Sequence, residues 1–219
     1  MDGRLLLDCP PQTLAHLYQL GGRPDDIDLV LLSHAHSDHI GGIDLLLLGV
    51  VVEHGDRLRE RPLAIAGPPG IRTRVGELIG SSRRLPGPRD PRLRWFEQEG
   101  GSSFTWQDIR IDCISVEHAP DLPALGYRVR IGGRTLAYTG DARLTPAIDE
   151  LAAGSDLLIV ECGGARERGH FEWDDVRELR GRLPAATRVL VTHYDHMTAP
   201  ERSSLPNIEL AEDLARYEL

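Results

Sequence analysis

A chain of 219 residues with 41% hydrophobic and 27% charged residues suits one globular domain, or two fused halves sharing a core, and excludes a disordered tail or a repeat array. The formal charge of −9 argues against a surface built wholly to hold nucleic acid. The three cysteines, Cys9, Cys113 and Cys162, are odd in number and far apart, so structural, reduced thiols are expected rather than a disulfide framework.

In chain order, residues 4–9 read as a short strand halted by Pro10-Pro11. A helix is expected over 13–20, closed by Gly21-Gly22. Residues 27–33 form a continuous apolar run of strand length, and Gly41-Gly42 opens a helix over 43–52. A strand at 63–66 breaks at Gly67-Pro68-Pro69-Gly70 and is followed by helical spacing over 71–79. The stretch 81–91, with three prolines and no apolar period, is a loop. Strands follow at 94–98, 109–116, 127–131 and 135–139, the last two joined by Gly132-Gly133 as a hairpin. A helix at 146–153, a strand at 157–161, a helix at 173–183 and a strand at 188–192 complete a mixed α+β/α/β pattern. Strands and helices thus alternate at both ends of a β-rich middle.

The first chemistry lies directly after the second strand, in Ser33-His34-Ala35-His36-Ser37-Asp38-His39. Neutral imidazole nitrogens and an ionised carboxylate are what a zinc-like cation takes at roughly 2.0–2.2 Å. His118, Asp141, Glu161 and His193 each stand at the end of a later strand, where side chains can point into one cleft. The ligand count suits two metals: His34, His36 and His118 on one, Asp38, His39 and His193 on the other, with Asp141 bridging. Such a pair would activate a bridging hydroxide. The donor set favours zinc, with manganese or iron tolerated.

The His-x-His-x-Asp-His run, followed by His118, Gly140-Asp141 and Thr192-His193, resembles the metallo-β-lactamase superfamily. That resemblance implies a four-layer αββα sandwich over residues 1–219 as a single domain, with a binuclear site at one edge. Ala66-Gly67-Pro68-Pro69-Gly70, Leu125-Gly126-Tyr127-Arg128, and Ile159-Val160-Glu161 with Gly169-His170 are similar to the ribonuclease Z-like phosphodiesterase branch. The resemblance implies that His170 protonates the leaving oxygen and that Asp8 supports the histidine loop from behind the ligands. Glu161 is expected to act in the same way or to pair with His170.

Two departures are visible. His118 and Asp141 are joined by little more than a hairpin, whereas bacterial ribonuclease Z carries its tRNA-gripping arm there, so tRNA processing is not carried over. The chain also begins almost at the strand before Asp8, so either its start is misassigned or the first one or two strands are trimmed.

The expected activity is therefore metal-dependent hydrolysis of a small-molecule or nucleotide phosphodiester, with nucleic acid left open. Hydrolysis of an ester, lactone or thioester is the alternative, and a non-catalytic metal-binding module a lesser one. No apolar run reaches the roughly 20 residues of a membrane span and no signal peptide is evident, so a cytoplasmic protein is expected. Relatives of the branch are often dimers, which makes a homodimer one expectation. His16, His54 and His196 read as bland. Arg72, Arg74, Arg83, Arg84, Arg89, Arg92 and Arg94 read as a solvated loop in preference to a phosphate rim.

Overall fold

The computed structural model describes residues 4–53, 61–80, 90, 92–197, 199–201 and 204–218. Two compact units follow one another, Met1–Gln98 and Glu99–Leu219.

The first unit is a parallel sheet in the order β1 (Leu5–Leu7), β2 (Leu29–Leu31), β3 (Leu63–Gly67) and β4 (Leu93–Glu97). Parallel strands covered by helices read as unbroken apolar runs, and every residue of β2 and β3 is buried. The helices are α1 (Thr13–Gln19), α2 (Ser37–Ile40), α3 (Ile43–Glu53) and α4 (Ile71–Ile79). Ile71, Val75 and Ile79 recur every four residues, and α4 turns that stripe onto the core formed by Val30, Leu32, Ile43, Leu46 and Ile65. Fully burying one such side chain is worth about 1.5–3 kcal/mol. The strand expected over 4–9 ends at Leu7 because Asp8 turns into the left-handed region, with φ 54°.

The second unit is a seven-stranded sheet in the order β11-β10-β9-β8-β7-β6-β5. Its strands are β5 (Ser103–Trp106), β6 (Ile109–Ser115), β7 (Leu125–Ile131), β8 (Arg134–Tyr138), β9 (Leu157–Cys162), β10 (Arg188–Tyr194) and β11 (Glu209–Leu210). Strands β5 to β8 pair antiparallel, and β8 to β11 pair parallel. Gly132 and Gly133 take φ of 58° and 77°, the double left-handed conformation of a type I′ turn, so the expected β7–β8 hairpin closes. Helices α5 (Pro146–Ala152) and α6 (Trp173–Arg182) bury Ile148, Leu151, Val176 and Leu179 against Val160, Val191 and Phe171. The Gly-Tyr-Arg strand has a structural use here. Tyr127 is fully buried, and the Arg128 guanidinium donates to the carbonyls of Glu150 and Leu151 at the end of α5.

The pattern left out α2, β5, β11 and two single 3-10 turns at Pro24–Asp26 and Arg166–Arg168. β5 is short and half polar, and only its pairing with β6 makes it a strand. The expected 81–91 loop falls almost wholly outside the described residues, as do His54, Arg83, Arg84 and Arg89. Among the described residues no helix is long and apolar enough to cross a membrane.

All three cysteines are buried free thiols. Burial pushes Cys9 and Cys162 up to about 12 and Cys113 to about 11, so none offers a thiolate near neutrality. Native protein at pH 8 should therefore leave dithiobis-nitrobenzoate uncleaved, whereas denatured protein should react at all three; fast native reaction would contradict this packing.

Candidate metal and catalytic site

In the first unit the site begins where β2 stops. The backbone passes through Ser33, His34 and Ala35 into His36, which precedes the single turn of α2, so the expected open turn is in part helical. What fixes this segment is the buried carboxylate of Asp8. Its Oδ1 accepts the Ser33 backbone N–H at 2.6 Å, and its Oδ2 accepts the Ser33 hydroxyl at 2.8 Å and His39 Nδ1–H at 2.7 Å. An ionised carboxylate only accepts, so His39 carries its proton on Nδ1 and keeps a lone pair on Nε2. The Ser33 hydroxyl has given its hydrogen to Asp8, so it accepts from His34 Nδ1–H at 3.0 Å. Asp8 thus sets the tautomer of two histidines, one directly and one through a serine.

The liberated Nε2 of His34 lies 3.0 Å from His36 Nδ1. Two nitrogens on one tetrahedral ion are separated by about 3.3 Å, so this pair is close to ligand spacing. Asp38 is exposed, with its Oδ2 3.8 Å from His39 Nε2. The loop also depends on close packing of backbone. Cys9 N–H donates to His39 O at 2.6 Å, Gly42 N–H donates to Cys9 O at 2.8 Å, and a Cβ on Gly42 would fall 2.1 Å from Pro10 O.

In the second unit His118, Asp141, His170 and His193 come together around Asp141. The carboxylate lies 3.9 Å from His118 Nε2, 3.6 Å from His170 Nδ1 and 3.8 Å from His193 Nδ1. These separations are too long for direct hydrogen bonds. Two donors on one cation at roughly 2.0–2.2 Å each can lie no more than about 4.4 Å apart, and all three pairs fall within that limit. His118 Nδ1 donates to Gly169 O at 3.0 Å; a carbonyl only accepts, so His118 Nε2 keeps the lone pair that faces Asp141. The donor chemistry of both units therefore fits a divalent metal.

Glu161 organises the cluster of the second unit as Asp8 organises that of the first. Buried at the end of β9, it accepts N–H groups from Ala142 at 3.2 Å, Phe171 at 3.0 Å and Gly163, and it meets His170 Nδ1 at 3.2 Å. Burial pushes its carboxyl above the usual range, and the hydrogen bond from His170 pulls it back. The pairing of Glu161 with His170 is the second of the two roles expected for it. His170 is not a helix cap: α6 starts at Trp173, and the Glu172 N–H is satisfied by Asp175 at 2.9 Å. A Cβ on Gly163 would fall 2.7 Å from His170 Nδ1, and one on Gly169 would fall 2.3 Å from His118 O. Both histidines approach backbone that only glycine leaves open.

His193 is not beyond its strand but inside β10, at a register shift between Thr192 and Tyr194, with φ 49°. Gly163 was not singled out in the sequence, and Ser33 and Gly169 entered it only as parts of quoted runs, with no role of their own. His196 lies against Tyr194 with the rings tilted, at 4.6 Å between centroids. Of the arginines read as a solvated loop, Arg72 and Arg74 stand on α4 and Arg94 on β4 instead: Arg72 lies over Trp95 at 6.0 Å, Arg74 pairs with Glu77 at 2.6 Å, and Arg92 Nε with Asp90 at 2.7 Å.

Asp8→Asn keeps the size and tolerates the left-handed backbone but cannot accept from every donor now on Asp8. Zinc affinity, read by competition with a chromophoric chelator, should fall about 10–100-fold with the circular dichroism unchanged. Unchanged affinity would mean that Asp8 merely fastens the loop.

The family model for the beta-lactamase superfamily domain matches residues 3–194. Ribonuclease Z of Mycobacterium marinum (strain ATCC BAA-535 / M) is 29% identical over 164 residues, 70% of this chain; the match spans only 58% of that relative's length. Ribonuclease Z of Mycobacterium sp. (strain KMS) is 26% identical over 247 aligned residues, covering 98% of this chain and 85% of the relative. Of solved structures, human tRNase Z, short form, superposes with a TM-score of 0.75 at 20% identity, over 98% of this chain and 88% of that one. A diphosphatase from the PhnP family gives 0.78 at 18% identity, over 100% and 81%. With its histidine loop, Gly-Asp and Thr-His motifs all inside a match that runs through both units, the chain belongs to the beta-lactamase superfamily domain family and has the metallo-β-lactamase fold.

Proposed function

We propose that the chain is a metal-dependent phosphodiesterase in which the two donor sets serve one binuclear centre of a single domain. His34, His36 and His118 would hold one ion, Asp38, His39 and His193 the other, and Asp141 both. Zinc suits this nitrogen-rich set best. When bound, the two cations would acidify the attacking water and draw charge from the phosphoryl oxygens. Asp38, exposed at the start of α2, would orient that water while acting as a ligand.

The observation that carries the phosphodiester reading is the placement of His170. It stands beside Asp141 with its Nδ1 on the buried Glu161. That carboxylate holds the ring's orientation and favours the imidazolium, leaving Nε2–H as the transferable proton. A stored acid of this kind matters most when the leaving group is an unactivated alkoxide. The relatives and solved structures named ribonuclease Z, tRNase Z and diphosphatase support a phosphorus-oxygen bond as the target. The short link from His118 to Asp141 supports a small or nucleotide substrate over a tRNA.

Turnover of bis(p-nitrophenyl) phosphate should be abolished by chelator and in Asp38→Ala. His170→Ala should lose rate chiefly on substrates with poor leaving groups. Equal losses on good and poor leaving groups would remove the general-acid role. Thioester or lactone turnover with no phosphodiester turnover would overturn the proposal.

A further inference from the structure

His193 is an L-residue held at φ 49°, in a region that only glycine enters freely, and it interrupts a strand. On one side of it Thr192 is in register with Glu161, and on the other Tyr194 is in register with Cys162, so His193 is the extra residue of a bulge. A bulge re-aims a side chain, and this one brings Nδ1 within 3.8 Å of Asp141 Oδ1.

What closes on the outer side of the kink is a segment beyond the stretch matched by the family model, which ends at residue 194. β11 pairs in parallel with β10, Leu190 with Glu209 and Val191 with Leu210. Ala211 N–H then donates to Val191 O at 2.7 Å, two residues before His193. The Tyr194 hydroxyl, one residue after it, donates to Ala211 O at 2.9 Å. One residue, Ala211, therefore ties both flanks of the bulge. The Tyr194 ring is held in turn by Trp173 edge-on at 5.8 Å. The segment is anchored by Arg188, whose Nε and terminal nitrogen each lie 3.0 Å from a Glu209 carboxylate oxygen, and by Glu212 N–H donating to the Tyr217 hydroxyl at 2.9 Å.

We infer that residues 209–212 are a strap that holds the left-handed bulge and so aims His193, with Tyr194 and Ala211 as positioning residues. This rests on the proposed role of His193 as a metal ligand. Release of the strap lets the bulge relax, and the imidazole then leaves Asp141 without any ligand having been removed.

The test is zinc affinity of the full chain, by competition with a chromophoric chelator, in Tyr194→Phe, Ala211→Pro and His193→Ala. Tyr194→Phe keeps the ring against Trp173 and removes only the hydroxyl; Ala211→Pro removes the N–H given to Val191 and fixes φ at that residue. Each strap variant should bind one of the ions about tenfold more weakly. Tyr194→Phe should cause no further loss when His193 is already alanine, a non-additivity that general destabilisation would not produce. Losses that add in the double variant overturn the strap. Unchanged affinity in both strap variants, beside a loss in His193→Ala, overturns the strap and leaves His193 a ligand. Unchanged affinity in His193→Ala overturns the ligand role and the strap together.

Discussion

A carboxylate taken out of water has to be filled with donors, and each unit of this protein arranges its candidate ligands around one that is. Asp8 is 3% exposed and Glu161 1%. Hydrogen bonds to a charged group are worth about 1.5–3 kcal/mol each, and a buried carboxylate stripped of them would be costly enough to neutralise or unfold its surroundings. The loops that supply the donors are therefore held in one arrangement. For Asp8 the donors are the Ser33 N–H, the Ser33 hydroxyl and His39; for Glu161 they are the N–H groups of Ala142, Gly163 and Phe171, with His170.

This arrangement settles more than position. A histidine can hold a cation only with the nitrogen that lacks a proton, and an unassisted imidazole exchanges its proton between the two. In His34, His39 and His118 an acceptor on the Nδ1 side removes that ambiguity, and in all three Nε2 is left as the donor atom. His170 makes the same kind of contact, with its Nδ1 on the Glu161 carboxylate. One device thus orients candidate ligands and the candidate acid alike.

Glycines supply the remaining room. At Gly42, Gly163 and Gly169 a methyl group would collide with a backbone oxygen or a functional ring, so these positions set how closely the histidine-bearing segments can approach the chain beside them. His193 has no such glycine and reaches its place through a bulge instead. A bulge in a parallel ladder is only as firm as the strand on its free side, which is why the short pairing of β10 with β11 bears on the site although it adds little to the core.

Much of this was legible without coordinates. The apolar runs of β2 and β3 are continuous because both faces of these strands are buried, and α4 shows its stripe at a four-residue spacing, so the order of most elements followed from pattern. The ligand candidates could be read because metal binding demands particular atoms, and His34, His36, Asp38 and His39 crowd those atoms into six positions. Other features had no such signal. β5 and β11 are strands only because a partner strand completes their hydrogen bonds, and nothing in Ser103–Trp106 or Glu209–Leu210 announces the partner. Asp8 and Ser33 are 25 residues apart, and Glu161 and His170 are nine apart; their pairing depends on where parallel strands end, which is a property of register and not of composition. Local sequence determined which residues could bind a metal or move a proton. Tertiary structure alone decided which nitrogen of His34, His39 and His118 is open to do so, because a tautomer is chosen by the acceptor that the fold places behind the ring.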